Sequence, residues 1–317
     1  MSSFVHRIRG GNSQQETDSD SENQAPDDDG DGEWSIVETP TSKSLHDVVQ
    51  TVEGPYVVGA EGNVFRRNEG SWDLRIDSGP ATKHNTLTAI DVTSDGKRVW
   101  FAGSSGALGM YDIETGRKYD YSAPEERTST WEAIAVTDAD DDERLRVANG
   151  SGEVFPITID GDGCSQYGEA VKPGSGSTIP ALDFGGGTPY AIDTSGNVFV
   201  EAEEDWEDIG IQNAQVNFFD LYADEETLLV AGGNGRIYRY DRPCENWTPV
   251  SAGSVALHGI DQSTDETIAV GAEGRIYHRV PSAGWEPISS PTEADLRAVA
   301  LGEVDVAIGA GGIVLER

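Results

Sequence analysis

Five histidines, His6, His46, His84, His258 and His278, are the side chains of this 317-residue chain best suited to move a proton or hold a metal near neutral pH. None is paired at a metal-binding spacing, no G-x-S-x-G motif places a serine nucleophile, and neither Cys164 nor Cys244 has a neighbouring activating base. The best match to a chemical motif is Asp27, Asp29, Asp31, Gly32 and Glu38. These fit the calcium-loop spacing D-x-D-x-D-G-x5-E, in which alternate carboxylates converge on one cation. No helix precedes Pro26, and a chain with this many aspartates reaches DDDGDG cheaply, so the segment is read as solvated linker with a calcium site as the alternative. No cofactor is expected. The run Asp138 to Glu143 lacks the glycine and reads as an acidic loop.

The composition narrows the partners. Acidic residues outnumber basic ones by 57 to 22, the formal net charge is −35, and only Lys43, Lys83, Lys97, Lys118 and Lys172 represent lysine. Such a surface repels itself in dilute buffer and is relieved by concentrated salt, the pattern of a salt-adapted, haloarchaeal-type protein. General nucleic-acid binding is disfavoured, because the chain has no cation excess with which to displace phosphate counterions. The N-terminus, MSSFVHRIRGGNS, contains no apolar run long enough for a signal peptide or membrane span. A cytoplasmic location without membrane insertion is the simplest expectation, with a virion component as the alternative.

Residues 1–33 divide into a short basic head, with Phe4, Val5 and Ile8 among His6, Arg7 and Arg9, and an acidic run with almost nothing to bury. The composition predicts a disordered tail, either dispensable or a docking peptide on a flexible tether. From Leu45 onward the chain repeats. An apolar residue stands three before another in Leu45/Val48, Leu87/Ile90, Trp131/Ile134, Ile179/Leu182, Phe218/Leu221, Leu257/Ile260 and Leu296/Val299. One position before each second member stand Asp47, Ala89, Ala133, Ala181, Asp220, Gly259 and Ala298, small enough for seven inner strands to crowd around an axis. Turn glycines keep step at Gly62, Gly106, Gly152, Gly196, Gly235, Gly274 and Gly312, spaced 44, 46, 44, 39, 39 and 38 residues apart. That is the period of a four-stranded propeller blade. Dipeptides such as Asn234-Gly235 and Glu273-Gly274 read as tight hairpin turns with positive φ at glycine.

Trp72, Trp206, Trp247 and Trp285 open the fourth strand in four repeats, and the seventh repeat ends at Arg317 without one. Superposing Trp34 on Trp285 brings Pro40 onto Pro291 and Leu45 onto Leu296, so Trp34–Val37 is predicted to supply the missing outer strand and close the ring. The fold is therefore read as an all-β, seven-bladed propeller over residues 34–317. With L-x-x-I, then VG-x-x-G-x-I-Y, then W, the repeat resembles those of the WD40/YVTN/BNR-like class, and in particular the photosystem II assembly factor relatives. The chain departs from true WD40 blades in having no Gly-His or Trp-Asp pair. Thr93 to Trp100 only loosely approximates an Asp-box, and no sialidase-style arginine triad can be assigned. Phe65, Phe155, Phe199, Tyr238 and Tyr277 share one third-strand register and are predicted core.

Function then has to be sought where the repeats differ. The residue after the first apolar position is His46, Thr88, Glu132, Pro180, Phe219, His258 or Arg297 in successive blades. Ring closure makes blades six, seven and one neighbours, so His258, Arg297 and His46 should meet at one side of the central mouth. Arg236 and Arg275 follow turns predicted on the same face, and Lys43, Lys83, His84, Arg127 and Lys172 lie in its blade-joining loops. A local positive crescent would attract an acidic or anionic partner; alternatively these residues neutralise nearby carboxylates. The leading expectation is a non-enzymatic scaffold that binds a protein or anionic partner at His46, His258, Arg297, Arg236, Arg275 and Phe219, with the tail as a candidate tether in a larger assembly. The alternatives are a virion or cell-surface display propeller and a carbohydrate-active or lyase-type enzyme. In the enzyme, His46 or His258 would be the acid/base and Asp47 or Asp220 a channel carboxylate.

Overall fold

Alternating apolar residues, punctuated by glycine turns, produce seven four-stranded antiparallel sheets in the computed structural model. The structure describes residues 32–81, 83–139, 142–202, 205–211, 214–281 and 283–317. The chain divides into two units, Met1–Gly32 and Glu33–Arg317, and the second is the propeller. The basic head, the acidic run and Asp27, Asp29 and Asp31 lie outside the described residues.

The innermost strands of blades one to seven are Leu45–Thr51, Leu87–Val92, Trp131–Ala139, Ala181–Gly185, Phe218–Ala223, Leu257–Gln262 and Leu296–Ala300. Six blades take their strands consecutively from the chain. The seventh combines Leu296–Ala300, Val306–Gly309 and Val314–Glu316 with Ser35–Ile36 as its outer strand. Ser35 pairs with Glu316 and Ile36 with Leu315, and the Val37 amide donates to the Val314 carbonyl at 3.0 Å. The predicted closing segment Trp34–Val37 thus does the work assigned to it, although the ladder proper spans two residues. Trp34 is buried beside it, with the Arg317 guanidinium 5.2 Å from its ring centroid.

The core lies between blades. One apolar cluster joins Trp100 and Leu108 of blade two to Trp131, Ile134 and Phe155 of blade three, and the other clusters bridge neighbours in the same way. Phe65, Phe155, Phe199, Tyr238 and Tyr277 are all buried. Their recurrence at one register therefore marks packing between sheets, where burial of a large apolar side chain contributes roughly 1.5–3 kcal/mol.

The glycine turns differ from the expected two-residue hairpins. Most are three-residue turns, such as Ala272–Gly274, in which the residue before the glycine also has positive φ: 58° at Glu273 and 67° at Gly274. In blades three and four the side chains of Asn149 and Asp193 accept the following amides instead, and Ser151 and Ser195 avoid positive φ. Glycine is required sterically as well: a Cβ on Gly274 would lie 2.0 Å from the Thr292 carbonyl oxygen, and one on Gly312 would lie 2.3 Å from that of Thr41. These contacts seat each turn on a blade-joining loop and put both on the face where the inner strands begin.

A ring of seven positions around the mouth

In six of the seven blades the residue after the buried first position is the extra residue at a β-bulge of the inner strand, and there it turns toward the central axis. The seven residues at that register, His46, Thr88, Glu132, Pro180, Phe219, His258 and Arg297, all line one central cavity of about 460 Å³. Each is partly exposed. Several lean onto the next blade. Thr88 Oγ1 donates to the Trp131 carbonyl, the Phe219 ring meets the His258 ring edge-on at 5.2 Å, and His258 Nδ1 lies 3.1 Å from the Leu296 carbonyl. A carbonyl only accepts, so His258 Nδ1 carries a proton.

Blades seven and one meet through Arg297 and His46. The guanidinium Nη1 donates to His46 Nδ1 at 2.7 Å, which fixes the His46 proton on Nε2. Burial, and then the Arg297 charge, lower the His46 pKa from 6.5 to about 4, so the imidazole is neutral at pH 7. Among the described residues no carboxylate lies within ion-pair distance of Arg297. In a chain of net charge −35 this leaves an arginine that lines the cavity and is held there by a neutral base.

The other basic residues behave differently. Arg236 and Arg275 are exposed and do not line the cavity. Arg275 reaches Glu273 at 3.9 Å and Lys43 reaches Glu61 at 3.2 Å, while Arg127 covers the Phe155 ring at 4.5 Å. The expected crescent is thus partly consumed by neighbouring carboxylates and an aromatic face. Of the candidate residues, His46, Arg297, His258 and Phe219 line the central cavity, whereas Arg236 and Arg275, just after the turns, do not.

Deeper in the channel stand five aspartates. Asp47 accepts from the amides of Val48 and Ile90, Asp91 from Val92 and Val136, Asp183 from Phe184 and Ala223, Asp220 from Leu221 and Ile260, and Asp261 from Gln262 and Leu301. In each the second amide belongs to the following blade, so the carboxylate is an inter-blade clip. Removal from bulk water raises all five pKa values, to about 7 for Asp47 and Asp183 and about 6 for Asp261, and the amide bonds only partly offset it. Asp47 and Asp220, considered above as channel carboxylates, are therefore already committed to holding strands together. Asp91, Asp183 and Asp261 were missed, although their signal was available: Ile90-Asp91, Leu182-Asp183 and Ile260-Asp261 repeat one position after the second apolar residue.

No protein-family profile and no curated protein sequence matches the chain. Solved structures do. A structure described as YCF48 bound to D1 peptide is similar over 90% of this chain and 96% of its own, with a TM-score of 0.71 at 14% identity. The corresponding figures for YCF48 from Cyanidioschyzon merolae are 90%, 98%, 0.71 and 14%. The WD40 propeller domain of Doa1 gives 89%, 96%, 0.69 and 10%. At these identities the likeness establishes the seven-bladed propeller fold and no more.

Among the described residues no group of three or more His, Cys, Asp or Glu side chains is placed to hold a metal ion, and Glu38 of the calcium-like spacing is exposed just beyond the closing strand. Cys164 and Cys244 are free and exposed. Among the described residues no helix is long and apolar enough to cross a membrane.

Proposed function

We propose that this propeller is a non-enzymatic scaffold whose mouth face binds a protein partner, with His46, Arg297, His258 and Phe219 as the contact group. The observation that carries the reading is the Arg297 guanidinium, which meets no carboxylate among the described residues and is buttressed by neutral His46 at the edge of a central cavity. An incoming acidic side chain would gain a charge-assisted hydrogen bond there without displacing an existing ion pair. Phe219 and His258 supply a joined aromatic wall for the remainder of the contact. The similar structures described as YCF48 bound to D1 peptide and as a mitotic checkpoint complex favour a binding role for the fold. The repeat resembles the photosystem II assembly factor type in pattern, and the composition suits a salt-adapted cell. The enzyme reading is the weaker one because Asp47 and Asp220 spend their carboxylate oxygens on backbone amides of two blades.

The test is affinity capture from a molar-salt lysate of the same organism, with wild type beside a His46→Ala, His258→Ala, Arg297→Ala variant that retains its circular dichroism spectrum. Partners lost only in the variant support the proposal. An unchanged set of captured proteins refutes it. A parallel variant lacking residues 1–13 asks separately whether the N-terminal head contributes an anchor.

A further inference from the structure

Five of the seven seams between blades are clipped by a channel aspartate, and the remaining two are not. Blade three carries Ala133 and Ala135 where a clip would stand, and blade seven carries Ala298 and Ala300. Those same two blades place opposite charges on the mouth ring, Glu132 and Arg297. Three seams separate them one way and four the other, the greatest separation that seven blades permit. Both side chains line the same central cavity. Glu132 resembles Arg297 in lacking an opposite charge: among the described residues no cation lies within ion-pair distance of it, and enclosure alone raises its pKa.

Fixed, opposed and uncompensated charges across one mouth are costly to keep in a partly enclosed site unless a ligand completes them. Each is the extra residue at a β-bulge of an inner strand, Glu132 between the paired Trp131 and Ala133 and Arg297 between the paired Leu296 and Ala298, so the two charges start from opposite sides of the ring. We infer that the mouth is a two-pole receptor for a partner segment that presents an acidic side chain to Arg297 and a basic side chain to Glu132. This inference rests on the mouth being the partner site and specifies what the partner brings to it. The Phe219–His258 wall on blades five and six lies along the four-seam arc between the poles, where the apolar stem of a long basic side chain would pack. A purely anionic ligand would satisfy Arg297 alone and leave Glu132 uncompensated.

The experiment uses the full chain at 1 M KCl and fluorescence anisotropy with three labelled pools of eight-residue, N-acetylated, C-amidated peptides. One pool carries one Glu and one Arg separated by up to four Gly or Ser residues; the second replaces Arg with Gln, and the third replaces Glu with Gln. The mixed-charge pool should bind at least about tenfold more tightly than either control, as expected when a second charge-assisted contact is added. Glu132→Gln and Arg297→Gln should each abolish that advantage. The charge exchange Glu132→Arg with Arg297→Glu should restore it, because the poles have only traded places. Equal binding of the mixed and Glu-only pools, or an advantage that survives Glu132→Gln, overturns the two poles while leaving a partner-binding mouth intact. Absence of binding by every pool also overturns the proposal, whereas the capture experiment judges the mouth independently. Displacement of the mixed pool by low-millimolar free alanine would assign the poles to a small zwitterion and overturn the side-chain pair.

Discussion

Arg297 and His46 show how a single pair can be specified by its surroundings. Accepting from the guanidinium requires the imidazole lone pair at Nδ1, and burial of His46, followed by the Arg297 charge beside it, keeps that lone pair unprotonated at neutral pH. Protonation of His46 would turn the acceptor into a donor facing a cation, so His46 contributes stability above pH 6.5 that is lost as pH falls toward about 4. The channel aspartates run the opposite way. Their folded pKa values are raised, so the stability they confer is complete below pH 3.8 and is lost as pH rises through about 6 for Asp261 and about 7 for Asp47 and Asp183. Several aspartates oppose one histidine. The melting temperature measured at fixed high salt should therefore rise as pH is lowered from 8 to 5. Asp47→Ala should flatten the matching slope of unfolding free energy against pH by up to about 1.4 kcal/mol per pH unit, the value for one proton. A slope identical to wild type would show that Asp47 titrates at an ordinary pKa.

Blades and seams determine which residues could be recognised from the sequence. The apolar L-x-x-I pairs, the turn glycines and the tryptophans follow a common register because each performs the same packing job in many blades, and periodicity therefore reveals them. Ring closure was legible for the same reason: Trp34 falls on the Trp285 position, and the segment after it returns to an outer-strand role. The clips were less legible because they occupy two registers, Asp47 and Asp220 before the second apolar residue and Asp91, Asp183 and Asp261 after it. Which amide a carboxylate meets depends on the neighbouring sheet, and that geometry has no local signature. Arg275 has Glu273 on the same turn 3.9 Å away, and whether it faces rim or mouth depends on side-chain direction, which spacing in the sequence does not give. Two outcomes test these assignments. Asp91→Ala should selectively speed hydrogen exchange at the Val136 amide and cost about 1–3 kcal/mol in urea unfolding; unchanged protection would remove its role as a clip. Trp34→Ala should cost about 3–5 kcal/mol, because it empties a buried site and removes the ring beneath Arg317, whereas a loss under 1 kcal/mol would mean that closure does not depend on it.

At the scale of the whole molecule, the ring resolves into two clipped arcs, blades one to three and blades four to seven. The three/four seam relies on Arg146 with Glu201, at 2.7 and 3.0 Å, and the seven/one seam on Gln50 with the Ala300 and Val304 carbonyls and on Glu316 with Arg67 and Trp72. An acidic excess of this size strains any compact arrangement through self-repulsion, which salt screens over about 3 Å at 1 M. The melting temperature should consequently climb between 0.1 and 2 M KCl, and a flat response would argue against salt adaptation. In the proposed function the propeller would contribute rigidity: seven inner strands hold a ring of unlike side chains around one cavity, and a partner would read the differences between blades. That account is tested most directly by the dissociation constant of a captured partner for wild type, Arg297→Ala and Leu74→Ala, the last being an exposed residue on an outer strand. The account predicts at least about tenfold weaker binding for Arg297→Ala and no change for Leu74→Ala. Equal affinity of Arg297→Ala and wild type would contradict it.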